Sequence, residues 1–157
     1  MVKIILRHLK FIIPLVIILS FFGGLQYKKS VRIEEALAGP HVKINKTVIA
    51  VEVADSPGEQ YRGLSNRKSL NKHQGMLFVF NNQIQRVFVM REMNFPLDIL
   101  WIKDGEIVKI SENLPPEGKN PENSYGSEYE VNHVLELNAG FSRKNKIETG
   151  DKIEINI

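Results

Sequence analysis

The stretch LDILWIKDGEIVKISENL, residues 97–114, constrains this chain more than any other. Asp104-Gly105 lies between two apolar runs, and Asp-Gly in that setting is the strongest short-range signal for a two-residue β-hairpin. It predicts antiparallel strands over 97–103 and 106–114. Strand alternation puts Asp98, Leu100 and Ile102 on one face and Leu97, Ile99 and Trp101 on the other. Both faces are apolar, so Asp98 is at least partly enclosed whichever face turns inward. A carboxylate is rarely buried without a partner. Asp98 is therefore either tied into a structural hydrogen-bond network or placed for use.

The rest of the body reads as short strands. HVKINKTVIAVEVAD (41–55) gives two, with a turn at Asn45-Lys46. SPGEQYRGL (56–64) opens a brief helix: Ser56 is the N-cap, Pro57 takes the first position, Glu59 completes a capping box, and Gly63 ends it. GMLFVF (75–80) is a buried strand, NNQIQ turns, and RVFVM (86–90) is another strand. Residues 115–130 hold three prolines and two glycines and read as a long loop. Its Tyr125 and Tyr129 could lid a pocket. VNHVLELN (131–138) is a strand, AGFSRKNKI a short helical turn, and TGDKIEINI ends in a strand. No strand–helix–strand alternation is visible. The fold class expected is β-rich α+β: a small, mostly antiparallel β-barrel or rolled sheet with one or two short helices, spanning 41–157 as a single domain.

A different physics governs the start. Residues 1–27 carry a basic beginning and an uncharged apolar run from Phe11 to Leu25, as in a signal anchor or signal peptide. Fifteen helical residues rise about 22 Å, and Lys10 and Lys28 can snorkel to complete a span. Ala36-Leu37-Ala38 fits a cleavage pattern but lies behind a long charged stretch, which favours an uncleaved membrane helix. Residues 28–40 then form a linker. The expected topology is single-pass, N-terminus cytoplasmic and the domain outside, or secreted if the segment is cleaved.

Charge and composition exclude several classes. The sequence pI is about 9.1, yet six of the 21 Lys and Arg precede Ile33 and all 18 acidic residues follow it. The body thus has 15 basic against 18 acidic side chains, formally −3, and no nucleic-acid face is expected. There is no cysteine, so disulfides, thiolate catalysis and Cys-based zinc sites are excluded. His41, His73 and His133 lack ligand spacing, and neither metal nor cofactor is expected. No nucleophile motif or phosphate loop is present.

The order of short motifs resembles the prokaryotic family called domain of unknown function 192. The matching pieces are YRGLSNRKSL (61–70), GMLFVF (75–80), VFVM (87–90), PLDILWI (96–102), GEIVKI (105–110), HVLELNAG (133–140) and GDKIEI (150–155). The resemblance implies a compact β-rich domain, often behind an export signal, and no established reaction. Carried over by motif position are Arg62, Gly63, Leu64, Arg67, Gly75, Met76, Phe78, Met90, Pro96, Asp98, Glu136, Gly140, Gly150 and Asp151. The chain departs from the family where Phe-Trp-Met-Lys-Asn-Thr is usual and Phe88-Val89-Met90-Arg91-Glu92-Met93 stands here.

The ligand-binding candidates are Arg62, Arg91, Asp98, Glu136, Met93 and Tyr125. Arg62, Arg67 or Arg91 could clamp Asp98 bidentately. Asp98 and Glu136 could act as an acid/base pair. Met93 precedes Pro96 in a loop where it could meet a ligand. The expected role is binding of a small polar ligand or an envelope partner by a membrane-tethered domain. A hydrolase or lyase acting through Asp98 and a purely structural partner-binding domain are the alternatives.

Overall fold

The computed structural model describes residues 38–157. The expected membrane helix, and the linker up to residue 37, lie outside the described residues. Among those described, no helix is long and apolar enough to cross a membrane. Gly39–Ile157 form one compact unit.

Seven strands and two short helices follow in order: β1 (His41–Ile44), β2 (Thr47–Ala54), α1 (Pro57–Arg62), β3 (Gln74–Phe88), β4 (Leu97–Lys103), β5 (Glu106–Leu114), β6 (Tyr125–Asn138), α2 (Phe141–Asn145) and β7 (Ile153–Asn156). They form one mixed sheet in the order β5-β4-β6-β3-β2-β1-β7, which curls into a half-barrel. Its two edges meet at one end. Glu106 bridges Lys152, and the Gly150 amide donates to the Ile107 carbonyl at 2.8 Å. The expected hairpin is present, with Asp104 (φ 49°) and Gly105 (φ 76°) both left-handed, as the tight turn requires.

Three expectations need correction. First, β2 and β3 pair in parallel across a connection that contains α1. The chain therefore does hold one strand–helix–strand crossover. Its helix of six residues is too short to show helical periodicity. Second, residues 74–88 are one strand. The polar NNQIQ stretch continues it, with irregularities between Val79 and Ile84 and between Gln85 and Val87. Ser127, fully buried, patches the second: its Oγ accepts from the Arg86 amide at 3.0 Å and donates to the Tyr129 carbonyl at 2.5 Å. Third, β6 begins at Tyr125, so the loop is shorter than composition suggests and Tyr125 and Tyr129 lie in a strand, not on a lid.

Both faces of the sheet are covered. One cluster draws on all seven strands, including Val42, Ile49, Leu77, Leu100, Ile107, Leu135 and Ile153, and is closed by Phe141 and Ile147. The other lies on the opposite face, with Met76, Phe78, Ile99, Trp101 and Val134 under Leu64, Met90 and Met93. All residues of β4 from Leu97 to Ile102 are buried as a result.

Candidate functional site

Asp98 is fully buried and its partners are all backbone amides. Oδ1 accepts from Asn113 and Gly140, and Oδ2 from Ser142, each at 3.0 Å. The carboxylate ties β4 to the end of β5 and to the turn that starts α2. Gly140 can point its amide inward because its φ is 74°. Among the described residues no arginine clamps Asp98: Arg67 pairs with Glu52, and Arg91 donates to the Tyr61 carbonyl. Nor does it pair with Glu136. Asp98 stands opposite Leu137 while Glu136 stands opposite Ile99, so the two acids project from opposite faces of the sheet. The expectation of a reachable Asp98 is therefore not met. Tyr125 also stands apart: it pairs with Phe88 along the β3–β6 ribbon and packs on the second cluster. Burial, then the Glu117 charge, raises its hydroxyl pKa.

Four of the six candidates do come together, in a cleft of about 200 Å³ under α1. The helix is fixed locally. The Ser56 Oγ accepts from the Glu59 amide at 3.4 Å, Glu59 Oε2 accepts from the Ser56 amide at 3.1 Å, and Gln60 donates to the Val79 carbonyl at 2.9 Å. Gly63 turns the chain with φ 50°. A Cβ there would sit 3.4 Å from the Phe78 ring and 4.0 Å from Glu136 Oε2, so the backbone runs low over the sheet. The following loop is stitched to the one after β3: Ser65 Oγ donates to the Arg91 carbonyl at 2.8 Å and the Asn66 amide to the Glu92 carbonyl at 2.7 Å.

Between these loops and the sheet, Phe78, Phe88, Met93 and Glu136 line the cleft, and Arg62 and Arg91 stand at its sides. Phe78 and Phe88 meet edge to face at 4.9 Å, and Phe88 and Trp101 at 5.5 Å, which makes a stiff aromatic base. Glu136 is 6% exposed, and its Oε2 is buried with no hydrogen-bond partner among the described residues. Burial pushes its carboxyl up to about 8, against the pull of the Arg67 guanidinium. Arg67 is already engaged: it grips Glu52 through both terminal nitrogens, with Nη2 to Oε2 at 2.8 Å. Glu52, Met76 and Glu136 form one row across β2, β3 and β6. Arg91 lies 4.0 Å over the Tyr61 ring. Arg62 is exposed, and its side chain makes no ion pair or hydrogen bond with a described residue. Among the described residues no three His, Asp or Glu gather as a metal site would need.

Glu136 was named from the sequence as a candidate, but its near-complete burial beneath Gly63, itself read only as a helix stop, was not visible there. The signal available was the pattern Val134, Glu136 against Leu135, Leu137. A carboxylate alternates there with leucines inside a strand whose two faces are both covered.

A mixed half-barrel with a helix laid over a buried carboxyl is thus the class of domain present. The DUF192 profile, described as "Uncharacterized ACR", matches residues 40–155, and the chain belongs to that family. Among solved structures it is similar to a protein from Sinorhizobium meliloti described as a "putative transcription regulator". The two are 32% identical with a TM-score of 0.69, over 74% of this chain and 92% of that one. It is likewise similar to a protein of unknown function from Novosphingobium aromaticivorans, 30% identical with a TM-score of 0.68, over 73% of this chain and 83% of that one. No curated protein matches it.

Proposed function

We propose that this is a binding domain and that its recognition site is the Glu136 cleft. The observation that carries the reading is the Glu136 carboxyl: nearly buried, with one oxygen unpartnered among the described residues, at the bottom of an opening flanked by two arginines. A buried polar group without a partner is costly, on the order of 1–3 kcal/mol, and a ligand that supplies the partner recovers that cost. Chemistry through Asp98 finds no support, because all three of its contacts are structural. Regulation of transcription, the role named for the Sinorhizobium protein, has no electrostatic support here: the body from Ile33 is formally −3.

In this reading the N-terminal segment holds the domain at the outer face of the membrane. Full-length protein should resist carbonate extraction at its full mass, and a released fragment starting near Gly39 would contradict the tether. The site itself is tested by ligand-observed NMR of the full-length chain against a mixture of small polar metabolites. Saturation transfer that disappears in Glu136→Leu supports the cleft. Transfer that survives in that variant places binding elsewhere.

A further inference from the structure

Resting on that reading, we infer that the ligand is an N-acylated amino acid with a free carboxylate and an apolar side chain, whether free or as the end of a peptide chain. Its carboxylate meets Arg62 and Arg91, its acyl carbonyl meets the Glu136 carboxyl, and its side chain lies on the aromatic base.

Size comes first. A cleft of about 200 Å³ is smaller than the roughly 300–1,000 Å³ of drug-sized sites, and fits a group about as large as one amino acid. Charge comes next. The charged groups around Glu136 are Arg67 with its partner Glu52, on the row across the sheet, and Arg62 and Arg91 at the sides. Arg67 is neutralised by Glu52. Among the described residues the Arg62 side chain has no acidic partner, and the Arg91 guanidinium is held only by the Tyr61 carbonyl and ring. Two uncompensated guanidiniums favour an anion and oppose a cation. At pH 7 the Glu136 carboxyl, raised by burial, keeps its proton and can donate a hydrogen bond. A neutral carbonyl oxygen is the natural acceptor. The apolar part meets Phe78, Phe88 and Met93.

The mouth offers more. Tyr61 is 73% exposed, Val87 66% and Val89 40%, all beside the opening. A longer chain leaving the cleft would cover them, whereas a free N-acyl amino acid would not reach them.

Calorimetry on the full-length chain in mild detergent tests this with four probes: N-acetyl-L-leucine, N-acetyl-L-leucinamide, L-leucinamide and acetyl-Ala-Ala-Leu. N-acetyl-L-leucine should bind about tenfold or more tighter than its amide, a difference of about 1.4 kcal/mol. The cationic L-leucinamide should be the weakest. Arg62→Gln, at an exposed position where folding is not at stake, should erode the preference for the acid. Glu136→Gln, which still donates, should keep N-acetyl-L-leucine binding within about threefold, and Glu136→Leu should lose it. Tighter binding of acetyl-Ala-Ala-Leu than of N-acetyl-L-leucine identifies a chain terminus as the source, and equal binding identifies a free acyl amino acid. Equal affinity for acid and amide, preference for L-leucinamide, or no binding by any probe overturns the inference. If the metabolite mixture still shows Glu136-dependent binding, the broader reading stands without it.

Discussion

The Cα of Gly75 in β3 packs against the carbonyl of Glu136 in β6 so closely that a Cβ at Gly75 would lie 2.8 Å from that oxygen. The same Cβ would also meet Leu137 at 2.8 Å and Leu135 at 3.1 Å. Gly75 therefore sets how near β3 approaches β6 beneath the cleft. Gly75→Ala should destabilise the domain by about 2–3 kcal/mol, since overpacking against backbone cannot be relieved by a rotamer change. Urea unfolding measures it, and parental stability in the variant would contradict the close approach.

Glu136 gives the fold a pH dependence of unusual sign. Its carboxyl is raised from 4.5 to about 8 in the folded chain. Between those values the folded state holds a proton that the unfolded state has released. Its contribution to stability is complete below about pH 4.5 and is lost as pH climbs to about 8. The loss is on the order of 4 kcal/mol across the window. His133 acts the opposite way: burial lowers its pKa, so stability falls as pH drops through its range. Both proteins share that effect, so the difference between parent and Glu136→Gln isolates the acid. Denaturation from pH 5 to 8 should show the parent losing stability relative to Glu136→Gln as pH rises. Parallel curves would mean that Glu136 titrates normally.

Arg67 influences Glu136 without a contact reserved for it. Arg67→Met should cost no more than about 1 kcal/mol, because the Glu52 pair it breaks is partly solvated. It should also push the Glu136 carboxyl further up by removing the opposing positive charge. Carbon-detected NMR titration of the Glu136 side chain reads that shift directly. An unchanged midpoint would show that Arg67 is electrostatically remote.

Asp98→Asn is isosteric but should unfold the chain more easily by about 2–3 kcal/mol. Oδ1 can go on accepting from Asn113 and Gly140, but an amide nitrogen would then face the Ser142 amide, donor against donor. Arg62→Gln, by contrast, should leave the unfolding midpoint within about 0.5 kcal/mol of the parent. Comparable losses in the two variants would refute the structural assignment of Asp98.

The elements declared themselves in sequence where local chemistry decides: the Asp104-Gly105 hairpin, the Ser56–Glu59 capping box and the alternation in β1 and β2. What stayed hidden depends on distant partners. The Asn81–Gln85 stretch is polar and looked like a turn, yet the strand runs through it and rejoins β6 at Ile84 and Gln85 after an irregularity. The parallel pairing of β2 with β3 leaves no local mark, because the connecting helix is shorter than two turns. Asp98 was recognisable as a buried carboxylate, but its amide partners come from residues 15 to 44 positions away. Glu136 was legible as a candidate but its burial was not, for a related reason. Which face of β6 is wet depends on whether Leu64, Met90 and Met93 cover it, and no spacing within β6 reports that.

Strand β4 shows what such a carboxylate does for a chain of this kind. Six consecutive enclosed residues, apolar on both sides, would tolerate slippage by one position, since greasy groups would merely exchange places with greasy groups. Asp98 alone would be stranded, its oxygens turned into hydrocarbon and three amides left waiting. A single acid thereby makes one alignment of β4 far better than its neighbours, and gives the sheet a defence against mispaired assembly that its oily composition could not supply.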